Sequence, residues 1–416
     1  MRICFIHQNL PGQYRHLIDA LLKRGDEVVG IGEQAAVARL TFRHPKLHLL
    51  SYRMPEEPGA DNPVPAHLRE LDRQVHRGQM VVRALHLLKQ KNLVPDLVVV
   101  HPGWGEAMFV RAELPAVPML GYCEFFYKAS GSDFGFDPEF PSAAAALHRL
   151  QLRRMPHLQA LYDMDAGVCP TQWQRAQFPA EFQPKLSVVH EGVDTDALLP
   201  DASAELVLGD WTLRAGDPIV TYVARNLEPY RGFHIFMRCL PDLLAKVPEA
   251  RVVIVGGDEV SYGVRLPPGD SYRARLLKEL GDRLDTSRVR FTGKLPYDQY
   301  ARVLQVSAVH AYLTYPFVLS WSLLEAMSSG CAVVASRTAP VEEVIVDGEN
   351  GWLTDFFDAP ALAAKLAEVL ARRGEVGAQR ASARETVVQR YDLKRVCLPA
   401  GLALLDRAAG LTPVPR

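Results

Sequence analysis

The chain of 416 residues is 48% hydrophobic and 23% charged, and its 47 Lys and Arg nearly balance its 48 Asp and Glu for a formal net charge of -1. This is enough apolar material to bury cores in two or three domains, which excludes a disordered chain. The near-neutral balance offers no concentrated basic surface, so nucleic acid is not an expected partner.

Residues 2–6 (Arg-Ile-Cys-Phe-Ile) have the character of a buried strand. Tyr14, Leu17, Ile18, Leu21 and Leu22 then recur with helical period until Gly25 stops the helix. A second strand is expected at 27–31, followed by a Pro-rich surface loop at 55–65 and a helix over 66–91. That helix carries Arg69, Arg73, Arg77, Arg83, Lys89 and Lys91, which raises contact with an anionic membrane surface as one reading. Its His67, Glu70, Asp72 and His76 favour an ordinary solvated face. Further strands are expected at 96–101, 118–122, 166–169 and 186–189. Apolar strands alternating with helices spell a parallel sheet in an α/β domain.

The same grammar restarts after a polar stretch at 194–217, with a strand at 218–224, a helix over 232–246, and strands at 251–256, 288–292, 308–313 and 331–335. A helix-patterned tail follows at 382–408. Two doubly wound domains in series are the economical reading, 1–193 and 194–416, with the last helix free to pack back on the first domain. Ligands of such domains sit beyond the carboxyl ends of the strands, so the expected site is a cleft between two facing domains. The six cysteines (Cys4, Cys123, Cys169, Cys239, Cys331, Cys397) show no Cys-x-x-Cys spacing, and no metal site is expected. No basic-then-apolar leader and no run of about 18 apolar residues is visible. The expected location is therefore cytoplasmic, with attachment to the inner face of the membrane as its peripheral variant.

Ala224-Arg225-Asn226-Leu227-Glu228-Pro229-Tyr230-Arg231-Gly232 closes a strand and opens a helix. Two guanidiniums so placed can converge on one diphosphate and balance its charge as it departs. The competing reading is a pair of surface arginines in salt bridges. Phe317-Val318-Leu319-Ser320-Trp321-Ser322-Leu323-Leu324-Glu325-Ala326-Met327 reads as a turn running into a helix, whose free amides suit a phosphate. Glu325 follows where a carboxylate can accept from both ribose hydroxyls; alternatively it caps a backbone amide, and either way it needs donors.

The Arg225/Arg231 spacing and the Leu-Leu-Glu-Ala-Met stretch around Glu325 resemble family 4 of the retaining glycosyltransferases, over nearly the whole chain. The resemblance implies a GT-B fold and a UDP- or GDP-sugar as co-substrate, without a metal or other cofactor. It makes Arg225 and Arg231 the diphosphate contacts, with Arg where the family usually has Lys. It assigns the outer phosphate to the amides of Ser320 and Trp321, the ribose to Glu325, and the base to the backbone of Lys294 and Leu295 within Val289-Arg290-Phe291-Thr292-Gly293-Lys294-Leu295. A family glutamate separated from Glu325 by seven intervening residues, which addresses donor-sugar hydroxyls, falls on Phe317 here; Tyr315 or Thr314 is left to supply a polar group.

In the first half, His7-Gln8-Asn9-Leu10-Pro11-Gly12-Gln13 follows the first strand, where the resemblance places a glycine loop facing donor phosphate and acceptor, with Gly12 at the ligand and Gln8 and Asn9 toward the acceptor. His101-Pro102-Gly103-Trp104-Gly105-Glu106 ends another strand, and His101 can donate to a hydroxyl or phosphate. Glu124 falls where many family members carry a histidine, and can position or deprotonate an acceptor hydroxyl. Asp133 and Asp137, among the aromatics of 132–140, suit a sugar acceptor. The expected function is transfer of a sugar to a hydroxyl of a glycan, lipid-linked or small-molecule acceptor, in polysaccharide or glycoconjugate synthesis. The rivals are a nucleotide-sugar epimerase or hydrolase of the same architecture, and a binding protein without turnover.

Overall fold

The computed structural model describes residues 1–56, 62–141 and 145–413. They form two compact units, Met1–Glu191 with Lys394–Arg416, and Gly192–Leu393.

The first unit is built on seven strands: β1 (Arg2–Ile6), β2 (Glu27–Glu33), β3 (Leu47–Tyr52), β4 (Leu97–Val100), β5 (Met119–Tyr122), β6 (Ala166–Cys169) and β7 (Leu186–Val188). They pair in parallel in the order β3-β2-β1-β4-β5-β6-β7. Successive strand residues face opposite sides. Cys4 and Ile6 therefore pack with Val81, Leu85 and Leu88 of the helix Arg69–Gln90. Ile3 and Phe5 pack with Leu21 and Leu22 of the helix Arg15–Arg24 and with Leu404 and Leu405 of the helix Leu398–Ala409. Gly25 ends the helix before it in the left-handed region at φ 96°, as its place in the sequence predicts.

The second unit opens with an antiparallel pair, β8 (Glu205–Leu208) and β9 (Trp211–Arg214). A six-stranded parallel sheet follows: β10 (Ile219–Asn226), β11 (Arg251–Gly257), β12 (Val289–Gly293), β13 (Val309–Tyr312), β14 (Ala332–Ser336) and β15 (Trp352–Thr354), in the order β12-β11-β10-β13-β14-β15. In both sheets the order reverses beside the first strand, between β1 and β4 and between β10 and β13. A ligand crevice opens at such a switch point, outside the carboxyl ends of the strands.

Four strands escape the sequence pattern, each for a physical reason. β3 and β15 are edge strands, and β3 is only half-buried over most of its length, so neither reads as a run of core residues. The stretch 194–217 holds the β8–β9 hairpin, whose turn has Gly209 at φ 62°. Leu206, Trp211 and Leu213 turn inward from it, an alternation that a hairpin reading can find. The tail is not one helix but two, Gly377–Tyr391 and Leu398–Ala409, joined through Asp392 and a π turn at Leu393–Cys397. The Val193 amide donates to Tyr391 and the Leu393 amide to Val193, each at 2.8 Å, which sets the two inter-unit chain crossings side by side. Lys394–Arg416 belongs to the first unit rather than to a division at 193/194.

The helix Arg69–Gln90 is less uniformly basic on its surface than its sequence suggests. Arg77 is buried, donating to the Trp104 carbonyl at 2.7 Å and to Glu33 at 3.2 Å. Lys89 pairs with Glu113. The Pro-rich loop at 55–65 lies partly outside the described residues. Among the described residues no helix is long and apolar enough to cross a membrane.

Candidate active site

In the second unit, the segment after β10 carries Arg225 and Arg231 and the segment after β13 leads into the helix Trp321–Ser328, so both flank the switch point. Arg225 is exposed, and among the described residues its guanidinium has no hydrogen-bond or ion-pair partner. Arg231 is buried at 8% exposure. It donates from Nη1 to Thr314 Oγ1 at 2.8 Å and to the Val318 carbonyl at 2.9 Å, which pins it to the loop before Ser320. Its guanidinium stands over the rings of Tyr262 at 5.3 Å and Phe317 at 5.9 Å. Gly232 makes the turn possible: it sits at φ 65°, and a Cβ there would meet the Leu313 Cβ at 2.3 Å.

Phe317 is a wall of an aromatic cluster, 5.4 Å from the Tyr230 ring and 4.9 Å from that of Tyr262. Thr314, one of the two residues left to replace the missing carboxylate, is completely buried and spent on Arg231. Tyr315 packs between Tyr230 and Phe356. The amide of Ser320, expected to face phosphate, donates instead to the Tyr312 hydroxyl at 2.8 Å, which corrects that part of the reading. Trp321 is the exposed first residue of the helix, and the Ser320 hydroxyl accepts from the Ser322 amide as its N-cap.

Glu325, one turn on, has the donors it needs. Tyr300 donates to Oε2 at 2.6 Å and Tyr297 stands 3.4 Å from Oε1. Burial pushes its carboxyl above the ordinary range, and the two hydroxyls pull it back. Both tyrosines lie on the helix Tyr297–Gln305, just beyond Lys294 and Leu295. Lys294 pairs its ammonium with Glu259 at 2.9 Å, and among the described residues the backbone groups of Lys294 and Leu295 make no hydrogen bond. At the end of β11 the Lys294–Glu259 pair lies close over Gly257, where an added Cβ would come within 2.3 Å of Glu259 Oε2 and 2.6 Å of Lys294 Cε and these mobile side-chain ends would have to shift.

Sequence reasoning passed over Glu228. It is buried at 1% exposure, and its carboxylate accepts the amides of Ser261, Tyr262 and Gly263 at 2.9–3.0 Å, while its carbonyl accepts the Arg231 amide. It thereby ties the loop after β11 to the loop after β10 and holds Tyr262 against Arg231. A carboxylate between the two arginines of the motif was the available signal.

In the first unit, the loop after β1 and the loop after β4 meet at the other switch point. The Gln8 amide donates to Glu106 Oε1 at 2.8 Å, and Glu106 is fully buried, with a carboxyl raised by desolvation. The Asn9 amide donates to His7 Nδ1 at 2.9 Å, and the Gly103 amide to His101 Nδ1 at 3.0 Å. Each ring nitrogen so engaged is an acceptor, which places the remaining proton of a neutral imidazole on Nε2. His101 Nε2 faces Glu124 Oε2 at 3.3 Å, and its ring stacks on Trp104 at 3.9 Å. The His7 ring lies 5.9 Å from that of His101 and underlies Gly12, whose added Cβ would meet His7 Cε1 at 2.9 Å. Gln8, Asn9, Gly12, His101 and Glu124 thus gather at one place. Asp133 and Asp137 are buried within their loop, and Asp137 accepts the Glu139 amide at 2.9 Å to close its own turn. Among the described residues no three His, Cys, Asp or Glu side chains group as a metal site.

Residues 24–198 match the family described as "Glycosyl transferase family 4 group", and residues 209–386 the family described as "Glycosyl transferases group 1". A GDP-mannose-dependent α-(1-6)-phosphatidylinositol monomannoside mannosyltransferase of Mycolicibacterium smegmatis is 26% identical over 232 residues, 54% of this chain and 56% of that protein. A D-inositol 3-phosphate glycosyltransferase of Corynebacterium glutamicum is 27% identical over 295 residues, 69% of this chain and 66% of that protein. The chain thus spans a little over half to two thirds of these curated relatives. Among solved structures, a sucrose-phosphate synthase of Thermosynechococcus elongatus superposes with TM-score 0.73 at 18% identity, covering 99% of this chain and 100% of that one. Anabaena HepE in complex with UDP-glucose gives TM-score 0.67 at 16% identity, over 97% and 100% of the two chains. At such identity these likenesses speak for the fold, which is GT-B.

Proposed function

The chain belongs to the family 4 glycosyltransferases, and on that premise we propose that it moves a sugar from a nucleoside-diphosphate sugar to a hydroxyl acceptor with retention of configuration and without a metal ion. The observation that carries this reading is the switch point between β10 and β13, where Arg231 is bound to the loop that opens the helix Trp321–Ser328. A diphosphate held there meets Arg225, Arg231 and the positive end of the helix dipole. These are fixed charges aimed where negative charge grows as the leaving group departs. The departing phosphate oxygen takes the acceptor proton, so the chemistry asks little of a protein base. With both arginines in place a divalent cation is not needed to balance the diphosphate.

Glu325 holds the ribose in this reading, and the cluster of His101, Glu124, Gln8, Asn9 and Gly12 positions the acceptor hydroxyl. UDP- and GDP-sugars are the favoured donors, since relatives of this chain are named for GDP-mannose and seen with UDP-glucose. The acceptor is a glycan, an inositol-type or lipid-linked sugar, or a small molecule. A thermal-shift screen against UDP-, GDP-, ADP- and TDP-sugars tests the donor, because a ligand bound by the native state alone raises apparent stability. Turnover is then followed with and without acceptors. Release of free sugar and nucleotide at full rate without an acceptor would identify a hydrolase instead, and donor binding without turnover on any acceptor would identify a binding protein.

A further inference from the structure

Glu325 is held by two tyrosine hydroxyls of unequal quality. The Tyr300 hydroxyl donates to Oε2 at 2.6 Å, well inside the range of a good O–H···O bond. The Tyr297 hydroxyl stands 3.4 Å from Oε1, beyond that range, on a ring that is itself half exposed. Tyr300 is three residues on from Tyr297, so one helix face presents both hydroxyls to the same carboxylate. An ionised carboxylate has about four acceptor sites on its two oxygens. With Oε2 committed to Tyr300 the rotamer is set, and Oε1 retains capacity for another hydroxyl.

We propose that Tyr300 is a positioning residue that locks the Glu325 carboxylate through Oε2 and presents Oε1 to the vicinal diol of a nucleotide ribose, and that Tyr297 is the weak competitor which the diol displaces. The inference rests on Glu325 being the ribose acceptor. It gives the two tyrosines opposite signs: losing the Tyr300 hydroxyl weakens nucleotide binding, whereas losing that of Tyr297 leaves it unchanged or tightens it. It also ties binding to pH. Both ribose hydroxyls bond best to the ionised carboxylate, and burial already makes ionisation of Glu325 harder. The titratable groups facing it are Tyr297 and Tyr300, with Asp194 beyond the first and Cys331 beyond the second. Without the Tyr300 hydroxyl the carboxyl titrates higher still, so affinity is lost earlier as the pH falls.

The test measures the affinity of the full chain for UDP, GDP and their 2′-deoxy analogues, between pH 5 and 8, in wild type, Tyr300→Phe, Tyr297→Phe and Glu325→Gln. Tyr300→Phe should raise Kd for the ribonucleotide about tenfold and reduce the preference for ribo over deoxy. It should also move the acid limb of binding up by about one pH unit. A ribonucleotide Kd, a ribo-to-deoxy ratio and an acid limb all unchanged in Tyr300→Phe would overturn the positioning role even if Glu325→Gln loses binding. Wild-type affinity in Glu325→Gln would instead overturn the ribose reading beneath it. A merely structural Tyr300 would lower stability without altering the ribo-to-deoxy ratio, which is measured on the ligand side and survives any common loss of fold.

Discussion

After β1 and β4 the first unit sets two imidazoles, a buried carboxylate and a half-exposed Glu124, while after β10 and β13 the second sets two guanidiniums and a helix start. The strand orders around the two switch points are the same. Each unit also places a left-handed glycine in the first loop, Gly12 at φ 49° and Gly232 at φ 65°. What differs is the charge offered at the strand ends. The loop after β1 carries His7, its pKa pushed down to about 3 by desolvation, and the buried Arg77 beneath the first unit's loops is spent on the Trp104 carbonyl and Glu33, whereas the loop after β10 itself carries the buried cation Arg231. The backbone of a doubly wound sheet thus decides where a ligand goes, and the side chains at the strand ends decide what charge it has.

The hardest blow to that contrast comes from the arginines. Arg225→Ala should lower kcat about 10²- to 10³-fold, the range for a lost transition-state donor, with thermal stability unchanged because the residue is exposed and unpaired among the described residues. Arg231→Ala should lower kcat as much and also cost about 1–3 kcal/mol of stability, since Thr314 and the Val318 carbonyl lose their donor. Unchanged turnover in either variant would remove the diphosphate from the second unit.

The paired glycines offer the next comparison. Gly232→Ala should destabilise by about 1–3 kcal/mol, because the new Cβ meets the Leu313 Cβ, which cannot swing aside. Gly12→Ala should cost less in denaturant melts, since it meets the edge of a ring at 2.9 Å. Equal losses would refute this difference in what packs beneath the two glycines.

Acid separates the units further. A histidine with a folded pKa near 3 stabilises fully above its unfolded value of about 6.5, and that stability drains away as the pH falls through the window between the two. Among the described residues three such rings lie in the first unit, His7 and His157 at about 3 and His190 at about 4, against His310 at about 3 in the second. Each costs about 2 kcal/mol by pH 5. Hydrogen exchange should show the first sheet losing protection at a higher pH than the second, and simultaneous loss would refute the difference.

The smallest effect is expected at the acceptor side. Glu124→Gln keeps the contact to His101 but removes the charge, and should reduce kcat about tenfold without changing donor KM. A raised donor KM with constant kcat would move Glu124 to the donor instead.

The fold class was legible because apolar β-branched runs alternate with helical periods, and a strand buried on both faces, such as Leu97–Val100, leaves no other reading. Arg225, Arg231 and Glu325 were legible because a cationic pair after one strand and a carboxylate early in a helix stand out in any sequence. Their surroundings were not. That Tyr297 and Tyr300 reach Glu325, that Glu228 gathers three amides from 261–263, and that Tyr312 takes the Ser320 amide all depend on side chains meeting across 8 to 35 residues of chain. The edge strands β3 and β15 were illegible for a related reason, since a half-solvated strand such as β3 carries no core pattern of its own and the three residues of β15 are too few to show one.

By itself the amino-acid order determined the alternation of strand and helix, the two repeats of one α/β plan and the residue types at the strand ends, because these follow from local periodicity and from the chemistry of single side chains. Only the tertiary structure decided which of those side chains are spent on the protein and which are left for a ligand. Hydrogen-bond satisfaction is a property of neighbours in space: Thr314 is consumed by Arg231 and Asp137 by its own turn, whereas Arg225 stands exposed and unpaired among the described residues.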